Sequence, residues 1–121
     1  PAVVTADVSF ISLRLVLPAV LACAEEPWRA LVLVKPQFEA GRADVRRGVV
    51  RDPGVRRMVL QDFAEFATGS GWAVLGVCDS CVPGPAGNRE YLVYLASPEH
   101  PLRKDLTADV ADQIERALAA S

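Results

Sequence analysis

The stretch Ala30-Leu-Val-Leu-Val34, followed at once by Lys35-Pro-Gln-Phe-Glu39, decides the fold. A run that is apolar at every position suits a central strand covered on both faces, as in a parallel sheet. The switch to a lysine and a proline marks its carboxyl end, because proline cannot donate to the ladder. Working outward, similar short runs stand at Val3 to Ala6, Trp72 to Val77 and Tyr91 to Ala96, with Arg29 to Val34 as the run that contains the central stretch.

Helix-period segments separate most of these runs. Ser12 to Glu26 reads as helical, with Pro18 either opening its regular part or kinking it. Asp52 is placed to cap a second helix and Pro53 suits its first position; Val55, Val59, Phe63 and Phe66 recur at helical spacing until Gly69 and Gly71 stop it. A last helix is expected from about Asp105 to Ala119, with Leu106, Val110, Ile114 and Leu118 on one face. Alternating strands and helices predict an α/β domain with a mostly parallel sheet. Asp79 to Asn88 is rich in turn formers and has no helical pattern, so the last two strands should run antiparallel as a closing hairpin.

The chain has 121 residues, 51% of them hydrophobic, and a formal net charge of −2. That is one globular domain of ordinary composition, neither a disordered chain nor a uniformly basic nucleic-acid coat protein. The most apolar segment, Val8 to Ala24, is interrupted by Arg14 and Pro18, so no spanning helix is expected. The odd set Cys23, Cys78 and Cys81 suits a reducing cytoplasm better than a disulfide scaffold. Because the first residue is Pro1 and the only methionine is Met58, the chain is expected to be the rear piece of a longer protein.

In open α/β sheets ligands bind beyond the carboxyl ends of the strands, which brings forward Asp7-Val-Ser-Phe10 and Lys35-Pro-Gln-Phe-Glu39. Lys35 follows the most apolar strand, a setting that withdraws its ammonium from water and favours a neutral amine able to take a hydroxyl proton. A lysine that simply reaches into solvent is the plain alternative. Asp7 is either an ordinary cap or a carboxylate that orients a ligand or a lysine. Glu90 stands at the start of the antiparallel strand, so it returns to the same rim; a solvated strand-edge glutamate is its plain alternative.

Together, Ala6-Asp-Val-Ser-Phe-Ile-Ser-Leu13, Leu33-Val-Lys-Pro-Gln-Phe-Glu-Ala-Gly41, Gly48-Val-Val-Arg-Asp-Pro53 and Gly84-Pro-Ala-Gly-Asn-Arg-Glu-Tyr91 resemble the successive blocks of the TlyA family. Its members are ribosomal RNA 2′-O-methyltransferases related to the FtsJ type, frequently catalogued as haemolysin A. The resemblance implies a Rossmann-like fold that binds S-adenosylmethionine, with a catalytic Lys-Asp-Lys-Glu tetrad. Three members fall on Asp7, Lys35 and Glu90, and the first lysine and the glycine-rich cofactor loop belong upstream of Pro1. Residues 1–121 would then be the C-terminal part of the methyltransferase domain, with an S4-type RNA-binding domain expected ahead of it and no metal required.

On the same resemblance, Val8, Ser9 and Phe10 line the methionine end of the methyl donor, although Phe10 equally suits a core position. Gly87 and Asn88 read as the turn that presents Glu90. Ribosomal RNA or a ribosomal subunit is the implied partner. Arg42, Arg46, Arg47 and Arg51, with Arg56 and Arg57 beyond them, make residues 42–57 net +4 while the remainder carries −6. Such a cluster could bind phosphates, or its arginines could pair with local acids on a solvated surface.

Other signals weigh less. Gly69-Ser-Gly71 follows a helix and precedes a strand, the reverse of a nucleotide-binding turn, and reads as a helix stop. Cys78-Asp-Ser-Cys81 ends a strand instead of opening a helix, and Cys23 and His100 show no paired spacing that would complete a zinc site. Two other functions compete with methyl transfer: a non-catalytic RNA-binding module, and a pore-forming cytolysin, which the lack of a spanning or long basic amphipathic segment opposes.

Overall fold

The computed structural model describes residues 2–7, 12–41, 45, 49–84, 87–100 and 109–121. Strand β1 is Ala2–Ala6, helix α1 Leu13–Ala22, strand β2 Trp28–Val34 and helix α2 Pro36–Glu39. Helix α3 is Pro53–Gly69, followed by strands β3 (Ala73–Asp79) and β4 (Tyr91–Ala96) and helix α4 (Val110–Ala120). One mixed sheet of order β1-β2-β4-β3 results, and the fold is α/β as expected.

β1 and β2 are parallel, from Ala2 opposite Trp28 to Ala6 opposite Val32. β4 runs antiparallel to both its neighbours, pairing Arg29 with Ala96 and Val34 with Tyr91 on one side, and Ala73 with Ala96 and Asp79 with Tyr91 on the other. Three strands therefore share a direction, and the predicted antiparallel β3–β4 pair is present. The reversed strand sits between β2 and β3, where it bonds on both edges. A register irregularity between Val74 and Gly76 lets β3 follow the twist of β4.

Trp28, Ala30, Val32 and Val34 of β2 form one core with Tyr91, Val93 and Leu95 of β4, Leu13, Leu17 and Leu21 of α1, and Val59, Leu60, Phe63 and Ala67 of α3. Ile114 and Ala117 of α4 join the same cluster. Phe63 is 1% exposed, and truncating so buried a phenylalanine to alanine typically costs about 3–5 kcal/mol. The other face of β2 departs from the expectation of complete cover, since Leu31 is 41% exposed and Arg29 and Leu33 are only half-buried. The core gathers on the Ala30 face, so the neighbours of Ala30 are enclosed and those of Leu31 are not.

Pro18 lies inside α1, and the helix ends at Ala22, short of Glu26. The stop is local: the Cys23 N–H donates to the Val20 carbonyl and the Ala24 N–H to the Leu21 carbonyl, both at 3.1 Å, tightening the last turn. Asp52 caps α3 through the Gly54 N–H at 2.8 Å with Pro53 beside it, and the helix gives way to Gly71 at φ +90°, a conformation that glycine adopts without strain. Asp109 caps α4 by accepting from the Asp112 N–H at 3.1 Å. The expected earlier start near Asp105, with Leu106, falls outside the described residues.

Candidate active site

Parallel pairing delivers the carboxyl ends of β1 and β2 to one rim of the sheet, and the first polar residue after each is Asp7 and Lys35. Their side chains meet there, with Lys35 Nζ 2.6 Å from Asp7 Oδ1. The two partners differ in environment: the lysine side chain is 11% exposed and the aspartate 64%. An ammonium so far withdrawn from water is tolerated only with a charged partner, which Asp7 supplies from the wet side.

Glu90 reaches the same place by a different route. β2 and β4 are antiparallel and end their pairing at Val34 opposite Tyr91, so one further step of register sets Lys35 opposite Glu90. On its other edge the Glu90 carbonyl accepts from the Ser80 N–H at 3.0 Å, continuing the β3–β4 ladder. Glu90 is 8% exposed. Its carboxylate faces Gln37, whose Nε2 lies 3.4 Å from Oε2, a long bond for this geometry. Gly84 also packs against it, so that a Cβ there would fall onto the Glu90 carboxylate.

The short helix α2 follows Lys35 directly because Pro36 at its first position has the backbone angle a helix start requires. Its last residue, Glu39, receives the Ser12 hydroxyl at 2.6 Å and the Leu13 N–H at 2.7 Å, so it caps α1 from another element. The chain segment after Asp7 is thereby fastened to the segment after Lys35. On the Glu90 side, buried Asn88 accepts the Val50 N–H at 3.0 Å, and its carbonyl accepts the Gly84 N–H at 2.7 Å. Gly87 adopts φ +82°, a turn conformation in keeping with the reading of Gly87 and Asn88.

Asp7, Lys35 and Glu90 thus stand at one rim. Val8, Ser9 and Phe10 lie outside the described residues, as do Arg42, Arg46 and Arg47. Arg51 is exposed. Arg56 points inward, with its guanidinium 3.5 Å from the Tyr91 hydroxyl and 3.4 Å from Ser121 Oγ. Arg57 forms a two-bond pair with Glu115 at 2.6 and 3.0 Å, which raises the arginine's pKa and lowers the glutamate's. These two arginines are therefore engaged between elements of the fold.

The cysteines Cys23, Cys78 and Cys81 are free and exposed. Although Cys78 has open surface, partial burial of its thiol, then Cys81 and Asp79, push its pKa up, the opposite of an activated thiol. Among the described residues no group of three or more His, Cys, Asp or Glu is placed to hold a metal ion, and no helix is long and apolar enough to cross a membrane.

Sequence reasoning assigned no role to Gln37, Glu39 or Gly84. Gln37 and Glu39 were visible in the polar run after β2, but their partners lie 53 and 26 to 27 positions away. Only the folded chain reveals such pairings.

Comparison with known proteins adds an independent finding. The profile of the FtsJ-like methyltransferase family matches residues 1–97. The chain is 47% identical over 93 residues to the 16S/23S rRNA (cytidine-2′-O)-methyltransferase TlyA of Mycobacterium tuberculosis, covering 76% of this chain and 35% of that protein. It is 43% identical over 99 residues to YqxC of Bacillus subtilis, a candidate rRNA methyltransferase, covering 81% and 35%. A solved structure from Streptococcus thermophilus, described as a candidate hemolysin, superposes with a TM-score of 0.85 at 36% identity, over 98% of this chain and 41% of the other. The chain spans 35% of the length of these two curated relatives. With more than half of its residues matched by the family profile, the chain belongs to the FtsJ-like methyltransferases.

Proposed function

We propose that this chain is the C-terminal part of a methyltransferase domain that transfers a methyl group from S-adenosylmethionine to a ribose 2′-hydroxyl of ribosomal RNA in the cytoplasm. The observation that carries the reading is the 2.6 Å pair of Lys35 and Asp7 at the strand rim, with Glu90 one register step across from the lysine. The kinship with TlyA and YqxC supplies the reaction class and the kind of acceptor.

The residues present fit part of such a donor. Asp7 keeps 64% of its side chain exposed while it holds Lys35, leaving carboxylate surface open at the rim, and a carboxylate complements a cationic ligand. Asp7 would border the donor, with Val8, Ser9 and Phe10 next to it in the chain. When bound, S-adenosylmethionine supplies an electrophilic methyl on a sulfonium for in-line attack by the ribose oxygen.

This chain's own residues handle the proton and the alignment. Lys35 Nζ, held in direction by Asp7, lies where, once it has released a proton and stands as the neutral amine, it can accept the hydroxyl proton as the oxygen becomes the nucleophile. A further lysine contributed from outside these residues would ease that transfer by repelling positive charge on Lys35. Glu90 fixes the other side of the ammonium network. Holding donor and acceptor in line supplies most of the acceleration, about 7–11 kcal/mol of barrier in well-oriented systems. Arg42, Arg46, Arg47 and Arg51 would meet the RNA phosphates, and an S4-type domain would add a second RNA contact.

Two measurements on the intact protein test this reading: titration with S-adenosylmethionine, and methyl transfer to ribosomal RNA before and after Lys35→Ala. Saturable binding with transfer abolished by the substitution is expected. Absence of binding would make the protein an RNA-binding module, and undiminished transfer would remove Lys35 from the chemistry.

A further inference from the structure

Gln37 stands one residue into α2, between Lys35 and Glu39, and its amide is oriented toward Glu90. Nε2 points to Glu90 Oε2 at 3.4 Å. Turning the amide over would set its carbonyl oxygen against a carboxylate, two acceptors face to face, so Glu90 dictates which end points where. The other end is left in an unfavourable position. Gln37 Oε1 is buried and has no hydrogen-bond partner among the described residues.

Buried acceptors are nearly always paired, so an orphan of this kind calls for a cause. An apolar residue of the same length would fill the position without stranding an oxygen. The glutamine is explained if its amide N–H is needed at Glu90. The carboxylate also packs against Gly84, where an added Cβ would displace it, and Glu90 is 8% exposed, leaving little room to reorient toward water. Bonds of this kind are often long in a site without its substrate and shorten when the reacting groups assemble.

We propose that Gln37 is a positioning residue of the methyl-transfer site, retained despite its stranded oxygen because its amide sets the Glu90 carboxylate opposite Lys35. The inference rests on the reading of this rim as a methyl-transfer site and adds a residue to it. It acts through Glu90 and need not touch either substrate.

A positioning role and a packing role predict opposite outcomes for Gln37→Met in the intact protein, with Gln37→Leu as a second variant of different shape. Both remove the stranded oxygen and the amide N–H together. Losing Oε1 relieves a stranded acceptor while losing Nε2 takes a donor from the Glu90 carboxylate, so the two effects oppose each other and both variants are expected to stay folded at the assay temperature. We expect kcat to fall about tenfold or more, with KM for RNA and for the methyl donor unchanged, the pattern of an interaction made in the transition state. Full kcat in either folded variant would overturn the proposal. So would a fall in kcat that only tracks the fraction of unfolded protein in both, since that would make Gln37 a structural residue.

Lys35→Ala in the same assay separates the two levels. If the wild type transfers methyl and Lys35→Ala does not, while Gln37→Met is fully active, only the role of Gln37 fails. If wild type and Lys35→Ala behave alike, the methyl-transfer reading fails and the role of Gln37 falls with it.

Discussion

Glu39→Ala tests the cross-element cap that ties the segment after Asp7 to the segment after Lys35. The substitution removes two bonds, one from the Ser12 hydroxyl at 2.6 Å and one from the Leu13 N–H at 2.7 Å. Ser12 is only half-buried, and its hydroxyl can turn to water. Leu13 is 2% exposed, so its N–H has no such recourse. A hydrogen bond to a charged group contributes about 1.5–3 kcal/mol. At about 1.4 kcal/mol per decade, loss of the Leu13 bond corresponds to about 10- to 140-fold faster amide exchange. Hydrogen exchange resolved at Leu13 is the assay, and the acceleration should stay within the first turn of α1. Glu39→Gln keeps an acceptor oxygen without the charge and should show a smaller effect. Unchanged exchange at Leu13, or equal acceleration through α3 and β3, would refute the reasoning.

Gly84→Ala places a methyl on the Glu90 carboxylate, and a displacement of about an ångström at a reacting centre lowers rates on the order of a hundredfold; transfer assays with circular dichroism should show the loss in a folded protein. Cys78, its thiol pKa raised chiefly by burial, should hold less thiolate than an ordinary cysteine and alkylate more slowly than a free cysteine peptide at pH 8, a difference that narrows as pH rises and that mass spectrometry can follow. Arg46→Ala with Arg47→Ala should reduce the slope of log affinity for RNA against log salt by about 1 to 2, because each lost phosphate contact removes about 0.7–0.9. An unchanged slope would take those arginines out of the RNA interface.

Much of the architecture was legible because it rests on local signals. An uninterrupted apolar run identified β2, and the Asp52-Pro53 start with the Gly69 and Gly71 stop delimited α3. That Asp7 and Lys35 share a rim was legible as well, since parallel strands end on one side of the sheet, whereas their direct pairing was one of two readings left open for Asp7. Insertion of β4 between β2 and β3 was not, because a connection's length limits strand direction but leaves open which edge the strand takes. The open face at Leu31 escaped for a related reason: a strand's composition permits cover on both faces without providing it. α2 is too short to show a helical period. Gln37 and Glu39 carry ordinary polar side chains whose importance comes from partners brought near by folding, and no spacing rule connects them.

The central claim is that Asp7 and Lys35 act as one unit, and a double-mutant cycle on methyl transfer by the intact protein tests it most directly. Asp7→Asn and Lys35→Met should each reduce kcat/KM severely, and the double variant should be little worse than the weaker single, as for groups that serve one step together. Losses that multiply as they would for independent residues, or an Asp7→Asn variant with wild-type activity, would contradict the account.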